Sequence, residues 1–247
     1  MSATTYMGDK GIVPRVGDVV MSPGNVRGIV IAVREVFVTV LWRFLQGALT
    51  VLGWRRKSVT KIAILGWGSL LWDKSQNDFE DHHEDWRLDG PILKLEFSRK
   101  SSSRLNDLTL VIDPAHGQEC QVAYALSKRG NLEQAIADLC PREKTKEKHI
   151  GFAFADGSRR KGRDANSIDV VIRWANARSV DVVLWTDLPG GFDDVPKKGF
   201  VNAAVNHVQG LSPEGKAMAA EYVWRAPEFV VTSLRETLQA EPWFQKS

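Results

Sequence analysis

KIAILGWGSLLW, the stretch from Lys61 to Trp72, joins a short apolar run to a glycine-rich loop. The run Ile62–Leu65 is typical of a fully buried strand, although periodicity alone also allows a buried helical segment. The loop Gly66–Ser69 contains two glycines, which let the backbone turn sharply and approach a ligand because no Cβ intervenes. Its N–H groups can converge on an anion, and Ser69 adds a hydroxyl. The loop by itself equally fits a tight turn without a ligand, since a short glycine-rich loop is a weak motif.

Length and composition indicate an ordinary soluble globular protein of one large domain or two smaller ones. The net charge of +3 is too small to indicate a nucleic-acid-binding protein. The charge is unevenly distributed, however: nine Lys and Arg residues face three Asp and Glu residues before residue 62, which leaves 24 basic and 27 acidic residues in the remainder. A basic N-terminal segment on a mildly acidic body is a weak indication of an anionic partner.

Cysteine content and hydropathy favour a cytoplasmic protein. The two cysteines, Cys120 and Cys140, form neither a disulfide framework nor a C-x-x-C zinc motif. The N-terminus has no signal-peptide pattern, so a reducing compartment is expected. Val38–Trp54 is apolar, but Arg43 and Gln46 interrupt it and it is too short to span a bilayer. We therefore expect strands there and no membrane partner.

The first sixty residues are predicted to form a small all-β domain. Short β-branched runs follow one another with a turn sequence, Ser22–Asn25, after the first. The predicted strands are Val16–Met21, Gly28–Arg34, Glu35–Trp42 and Leu52–Thr60. Their pattern resembles SH3-like barrels of the KOW or Tudor kind. That resemblance implies a module, residues 1–60, that binds a protein or an anionic partner such as nucleic acid, or that packs on a neighbouring domain.

Residues 61–247 contain both strand and helix patterns, and we expect an α+β domain there. Three strands in succession favour hairpins over βαβ units: Ile92–Arg99, Leu108–Ile112 and Glu119–Leu126. Asn131 can cap a helix whose apolar stripe ends near Cys140, because Pro141 follows. Further strands are expected at Ile150–Ala155 and Asp181–Thr186, and further helices around 168–175, after Ser212 and near Thr232.

Two groups of polar side chains could carry chemistry. Glu143 follows the predicted helix among cations that keep a carboxylate ionised, and it could serve as a general base if the site also desolvates it. A solvated acid in a charged loop explains it equally well. His82 and His83 are adjacent, and adjacent residues do not share a helix face, so they are poorly spaced as joint metal ligands.

Several of these segments together resemble the γ-glutamylcyclotransferase-like superfamily. Gly66–Trp72 is similar to its Tyr-Gly-Ser-(Leu/Asn) loop, and Leu139–Thr145 is similar to the segment that carries its catalytic glutamate. Pro91–Ile112, Val122–Leu126 and Val182–Leu188 also fit one bacterial branch. The resemblance covers about Lys61–Trp243 and implies a mixed β-barrel with flanking helices. Trp67 replaces the usual tyrosine, and Lys144 replaces the glycine that usually follows the glutamate.

The resemblance implies an enzyme that cyclises a γ-glutamyl group to 5-oxoproline and releases an amine, a lyase or acyltransferase reaction. Glu143 would be the general acid and base. Gly66 belongs to the binding loop, and the N–H groups of Trp67, Gly68, Ser69 and Leu70 would hold a carboxylate or oxyanion, with Arg99 as a carboxylate partner. No metal or cofactor is required. Glutathione, γ-glutamyl amino acids and γ-glutamyl amines all remain candidate substrates.

Three other interpretations of the sequence stay open. Trp67 and Lys144 favour a non-catalytic binding module on the same fold, because fold does not determine function. A second interpretation keeps the enzyme and changes the reaction to removal of a γ-glutamyl cap, with the basic N-terminal module recruiting the acceptor. The third is a cysteine enzyme using Cys140 and His149, although a cysteine beside an apolar stripe is more often a small packed residue.

Overall fold

The computed structural model describes residues 6–7, 19–21, 27–34, 37–42, 60–74 and 78–245. The chain divides into two units, Met1–Ser58 and Val59–Ser247. The described residues combine five α-helices with three β-sheets, so the chain has the predicted α+β class. Among the same residues, no helix is long and apolar enough to cross a membrane.

The first unit contains a four-stranded sheet in the order β1-β2-β3-β4. Its strands are β1 (Tyr6–Met7), β2 (Val19–Met21), β3 (Arg27–Arg34) and β4 (Phe37–Trp42). β1 pairs with β2 in parallel, and the other pairs are antiparallel. β2, β3 and β4 coincide with three predicted strands, whereas the fourth, Leu52–Thr60, lies outside the described residues except at its end. The described strands form an open sheet, so the SH3-like barrel stays a prediction.

The second unit contains eight strands and five helices among its described residues. The strands are β5 (Ile62–Gly66), β6 (Ile92–Ser101), β7 (Asp107–Ile112), β8 (Gln118–Gln121), β9 (Ala123–Leu126), β10 (Ile150–Phe154), β11 (Arg160–Lys161) and β12 (Val182–Thr186). The helices are α1 (Leu132–Arg142), α2 (Ala165–Arg178), α3 (Lys197–Gln209), α4 (Pro213–Arg225) and α5 (Ser233–Ala240). Asn131, Ser212 and Thr232 cap their helices as expected. α1 runs two residues past Cys140, and α3 was not predicted.

The strands of this unit form two open sheets, which corrects the expectation of a closed mixed barrel. Their orders are β11-β10-β12-β5-β9 and β7-β6-β8. The predicted strand Glu119–Leu126 is divided at Val122, whose N–H donates to Pro91 and whose carbonyl accepts from Gly90. The first half therefore pairs with β6 and the second with β5. The far edge of β9 bonds to Arg87 instead of to another strand, so the described ladder does not close.

The central strand β5 is buried on both faces, which explains its uninterrupted apolar sequence. Ile62 and Ile64 face α1 and pack with Leu139, whereas Ala63 and Leu65 face the core below α2 and α4. β12 pairs with β5 in parallel, and β9 pairs with it in antiparallel orientation. These contacts fix the position of the glycine loop that follows β5.

A buried polar cluster joins the β6-β7-β8 sheet to the segment before α3. His116 lies 3.0 Å from Asp113 through Nδ1 and donates from Nε2 to the Val195 carbonyl at 2.8 Å. Glu96 is completely buried nearby, and Phe97 N–H donates to it at 2.8 Å. Burial raises the pKa of Glu96 to about 7, although hydrogen bonds from Thr232, Phe97 and Leu234 oppose the shift.

The raised pKa of Glu96 predicts that part of the protein's stability is lost between about pH 4.5 and pH 7. The folded state retains the Glu96 proton in that range and the unfolded state does not, so the free energy of unfolding falls as pH rises. The shift corresponds to at most about 3 kcal/mol. Urea denaturation at several pH values should show that the free energy of unfolding falls less with rising pH in Glu96→Gln than in wild type.

Glu119→Gln is the control, because Glu119 is an exposed glutamate on β8. In Glu119→Gln the free energy of unfolding should depend on pH as it does in wild type. Equal pH dependence in wild type and Glu96→Gln would show that Glu96 titrates normally.

Candidate functional site

The loop after β5 is held by the side chain of Trp67 and requires its two glycines. The Trp67 indole is buried and donates from Nε1 to the Leu110 carbonyl of β7 at 3.2 Å. A Cβ on Gly66 would lie 2.8 Å from the Trp86 ring, and a Cβ on Gly68 would lie 2.5 Å from the Tyr222 hydroxyl. Trp67 therefore anchors the loop to β7.

A cavity of about 240 Å³ opens beside this loop. It is lined by the loop, the β6-β7 hairpin, the end of α1, the end of β12 and α4. Every site residue predicted from the sequence lies on its wall: Gly66, Trp67, Gly68, Ser69, Leu70, Arg99 and Glu143. Residues that are distant in sequence thus meet at one site, because the β5 loop and the end of α1 lie side by side.

Glu143 is one of two carboxyl groups on the wall of this cavity, with Asp73, and is not a solvated surface acid. It caps the C-terminus of α1, and its N–H donates to the Leu139 carbonyl at 3.0 Å. Its side chain is 17% exposed, with Oε1 3.5 Å from Arg142 Nη1. Burial raises its pKa, Arg142 opposes the shift, and the negative charge of Asp73 reinforces it. A carboxyl group with a raised pKa can both accept and return a proton near neutral pH.

Lys144 forms a left-handed backbone turn directly after Glu143. Its φ is 48°, in the left-handed region. Lys144 N–H donates to Pro141 and Thr145 N–H donates to Cys140, which closes the end of α1. The Lys144 side chain is exposed. A lysine at position 144 is therefore compatible with the left-handed turn that closes the end of α1.

Arg142 connects the end of α1 to the loop, a role that the sequence did not reveal. Its side chain is 4% exposed, and its Nη2 donates to the carbonyls of Ser69 at 2.8 Å and Asp73 at 2.6 Å. These bonds hold Glu143 beside the loop. In the sequence, Arg142 was only one of several cations near Glu143.

Tyr222 supplies a phenol to the cavity from α4. Burial raises its pKa to about 12, and the nearby Glu143 adds to the shift, while hydrogen bonding with the backbone of Leu110 and Ser69 opposes it. The Arg104 guanidinium lies 4.9 Å from the ring centre. A neutral phenol can donate its proton while its oxygen accepts. The cavity thus contains a phenol even though position 67 does not provide one.

Two arginines on the β6-β7 side of the cavity differ in their partners. Arg104 pairs with buried Asp107 at 2.9 Å. Arg99 donates to the Pro189 carbonyl at 3.2 Å and has no carboxylate within 4 Å among the residues the structure describes. Burial and the charge of Arg163 lower its pKa. Arg99 therefore presents a positive charge to an anionic ligand.

The other sequence candidates lie outside this cavity. Cys140 and His149 are not part of its lining, and burial raises the pKa of the Cys140 thiol, which disfavours a thiolate. His82 lies 3.3 Å from Asp138, and His83 packs between Phe79 and Trp86. These contacts give His82 and His83 structural roles. The cysteine-enzyme interpretation is weakened separately, because Cys140 and His149 lie outside the cavity lining and the Cys140 thiol has a raised pKa.

No family model, curated protein or solved structure matches the chain. The resemblance to γ-glutamylcyclotransferases therefore stays a prediction carried by the quoted residues. The functional argument depends on the geometry of the cavity itself.

The close approach of Tyr222 to Gly68 predicts that Gly68→Ala destabilises the protein by about 1–3 kcal/mol, since the new methyl overlaps the phenol oxygen. Adding Tyr222→Phe removes that oxygen and should recover part of the loss. A double-mutant cycle from urea denaturation measures this coupling, expected to be at least about 0.5 kcal/mol.

Gly199→Ala is the control, because its Cβ would meet nothing closer than 4.0 Å and Gly199 lies in a helix. It should leave stability unchanged or raise it. Strict additivity of the Gly68 and Tyr222 substitutions would contradict the described contact.

Proposed function

We propose that the second unit is a γ-glutamylcyclotransferase-like enzyme that converts a γ-glutamyl group to 5-oxoproline and releases the attached amine. The observation that carries this proposal is the half-buried Glu143 carboxyl, with its raised pKa, beside the glycine loop in one small cavity. The resemblance quoted above supports the same reaction.

The substrate supplies its own nucleophile in this reaction. The α-amine attacks the γ-carbonyl carbon, a C–N bond closes the five-membered ring, and the bond to the leaving nitrogen breaks as the carbonyl re-forms. Glu143 accepts a proton from the attacking amine and returns one to the leaving nitrogen, so no proton is gained or lost overall. Positioned proton transfer of this kind contributes roughly 10²–10⁴-fold to a rate. Holding the chain folded for ring closure contributes further.

Donor groups around the loop would stabilise negative charge on the substrate. The N–H groups of residues 67–70 and the Ser69 hydroxyl would hold the α-carboxylate or the oxyanion that develops on the γ-carbonyl. Tyr222 stays protonated at neutral pH and would donate a further hydrogen bond. Arg142 acts as a positioning residue through the Ser69 and Asp73 carbonyls. Arg99 would bind a substrate carboxylate from the opposite wall.

The basic N-terminal unit has no assigned ligand. A protein or anionic partner remains our prediction for it, based on nine basic and three acidic residues before residue 62. A binding module without catalysis is the principal alternative for the second unit. The two features that favoured that alternative are accommodated here, since Trp67 anchors the loop and Lys144 retains the left-handed turn.

Replacing Glu143 with glutamine should reduce 5-oxoproline release by about 10²–10⁴-fold, because the amide cannot transfer the proton. Release would be measured by chromatography on a panel of γ-glutamyl peptides and amines. Glu133→Gln changes an exposed glutamate at the start of α1, outside the cavity lining, and should retain wild-type activity. Undiminished release by Glu143→Gln would reject Glu143 as the general base. Binding of the panel without release by wild type would support the binding module.

The charge of Asp73 predicts a shift in the pH dependence of kcat/KM. Asp73 raises the pKa of Glu143, so Asp73→Asn should lower that pKa and move the acidic limb of the profile to lower pH. The sign follows because the base form of Glu143 then persists at lower pH. The same limb in Glu133→Gln should match wild type, and an unchanged limb in Asp73→Asn would show that another group titrates.

A further inference from the structure

The rim of the cavity is built around Asp187. Its chain neighbours Thr186 and Leu188 both line the cavity. The Asp187 carboxylate accepts the Arg163 N–H at 2.7 Å, and its own N–H donates to the His149 carbonyl at 2.7 Å. The 147–149 turn and the 160–163 segment are therefore attached to the edge of the cavity.

These segments bring four cations together, which we call the cationic rim: Arg99, Lys148, Lys161 and Arg163. Lys148, Lys161 and Arg163 are exposed, and Arg99 lies half-buried in the cavity wall. Lys161 is held by the Glu147 carbonyl at 2.6 Å. Within the described part of the chain, none of the four forms an ion pair with a carboxylate within 4 Å.

Hydrogen bonds bring the four cations to one stretch of chain. Arg99 donates to the Pro189 carbonyl, two residues beyond Asp187, and Lys148 precedes His149, whose carbonyl accepts the Asp187 N–H. The same four charges act on one side chain. Burial lowers the pKa of His149, and Lys148, Arg99, Arg163 and Lys161 each lower it further. Glu147 and Asp187 are the acids of these segments, and Asp187 is engaged by Arg163 N–H and, at 3.4 Å, by the Trp185 indole. Counting both acid charges fully against the four cations still leaves an excess of two positive charges.

We propose that the cationic rim binds the leaving part of the substrate and selects γ-glutamyl compounds whose leaving amine carries two acidic groups, as in γ-glutamyl-glutamate. This inference rests on the proposed function. In the proposed reaction, the loop and Glu143 contact the α-carboxylate, the amine and the γ-carbonyl of the glutamyl group. The remainder of the substrate then extends toward the cationic rim. One carboxylate would neutralise one of the two excess charges, whereas a dicarboxylate neutralises both. A cationic leaving amine would be repelled.

Three dipeptides of similar size separate charge from shape: γ-glutamyl-glutamate, γ-glutamyl-glutamine and γ-glutamyl-lysine. At about 50 mM salt, kcat/KM should follow that order, with about two- to fivefold for each exposed charge contact. The preference for glutamate over glutamine should shrink at about 500 mM salt, because exposed charges are screened there. Arg163→Gln should reduce the ratio of kcat/KM for γ-glutamyl-glutamate to kcat/KM for γ-glutamyl-glutamine. Lys198→Gln should leave this ratio unchanged, because Lys198 is an exposed residue of α3 outside the cavity lining.

Calorimetric binding of the same dipeptides to Glu143→Gln separates the two proposals. Turnover of all three dipeptides without a preference would reject substrate selection by the cationic rim and leave the proposed reaction in place. A preference that neither salt nor Arg163→Gln reduces would do the same. Binding that favours γ-glutamyl-glutamate, without turnover by wild type, would uphold the rim and overturn the reaction. Absence of both binding and turnover would overturn both.

Discussion

The site depends on one buried guanidinium group. Arg142 lies at the end of α1 and donates to two carbonyls of the segment after β5, so a helix and a loop that are some seventy residues apart are held as one wall. Burying a cation costs free energy, which the two charge-assisted hydrogen bonds and the adjacent Glu143 carboxylate offset. Because Glu143 is the next residue, the same bonds that fix the loop also fix the position of the acid.

The features that could be predicted from the sequence are those specified locally. The apolar run of β5 and the caps at Asn131, Ser212 and Thr232 each depend on residues within one short segment. The loop and Glu143 were paired only through the family resemblance. Their meeting in one cavity depends on how α1 packs against β5, which no local pattern encodes.

The features that were missed depend on contacts between distant segments. Tyr222 occupies an ordinary buried position in the pattern of α4, and only the packing of α4 against β7 brings its hydroxyl over Gly68. The division at Val122 is equally invisible, because the residue is apolar like its neighbours and turns the strand through hydrogen bonds to residues 90 and 91. Because of that division, the predicted strand contributes to two sheets. The two sheets are open, whereas a barrel was expected.

A raised pKa does not by itself identify the catalytic acid, since Glu96 and Glu143 share that property. Glu96 is completely enclosed, accepts the Phe97 N–H and lies beside the start of α5, so its titration affects stability and no ligand reaches it. Glu143 is buried to a lesser degree, on the wall of a cavity beside the glycine loop. Burial raises the pKa of both carboxyl groups, but only Glu143 lies where a bound molecule could exchange a proton with it. Access to the cavity, and not the pKa shift, is therefore what supports the proposed role of Glu143.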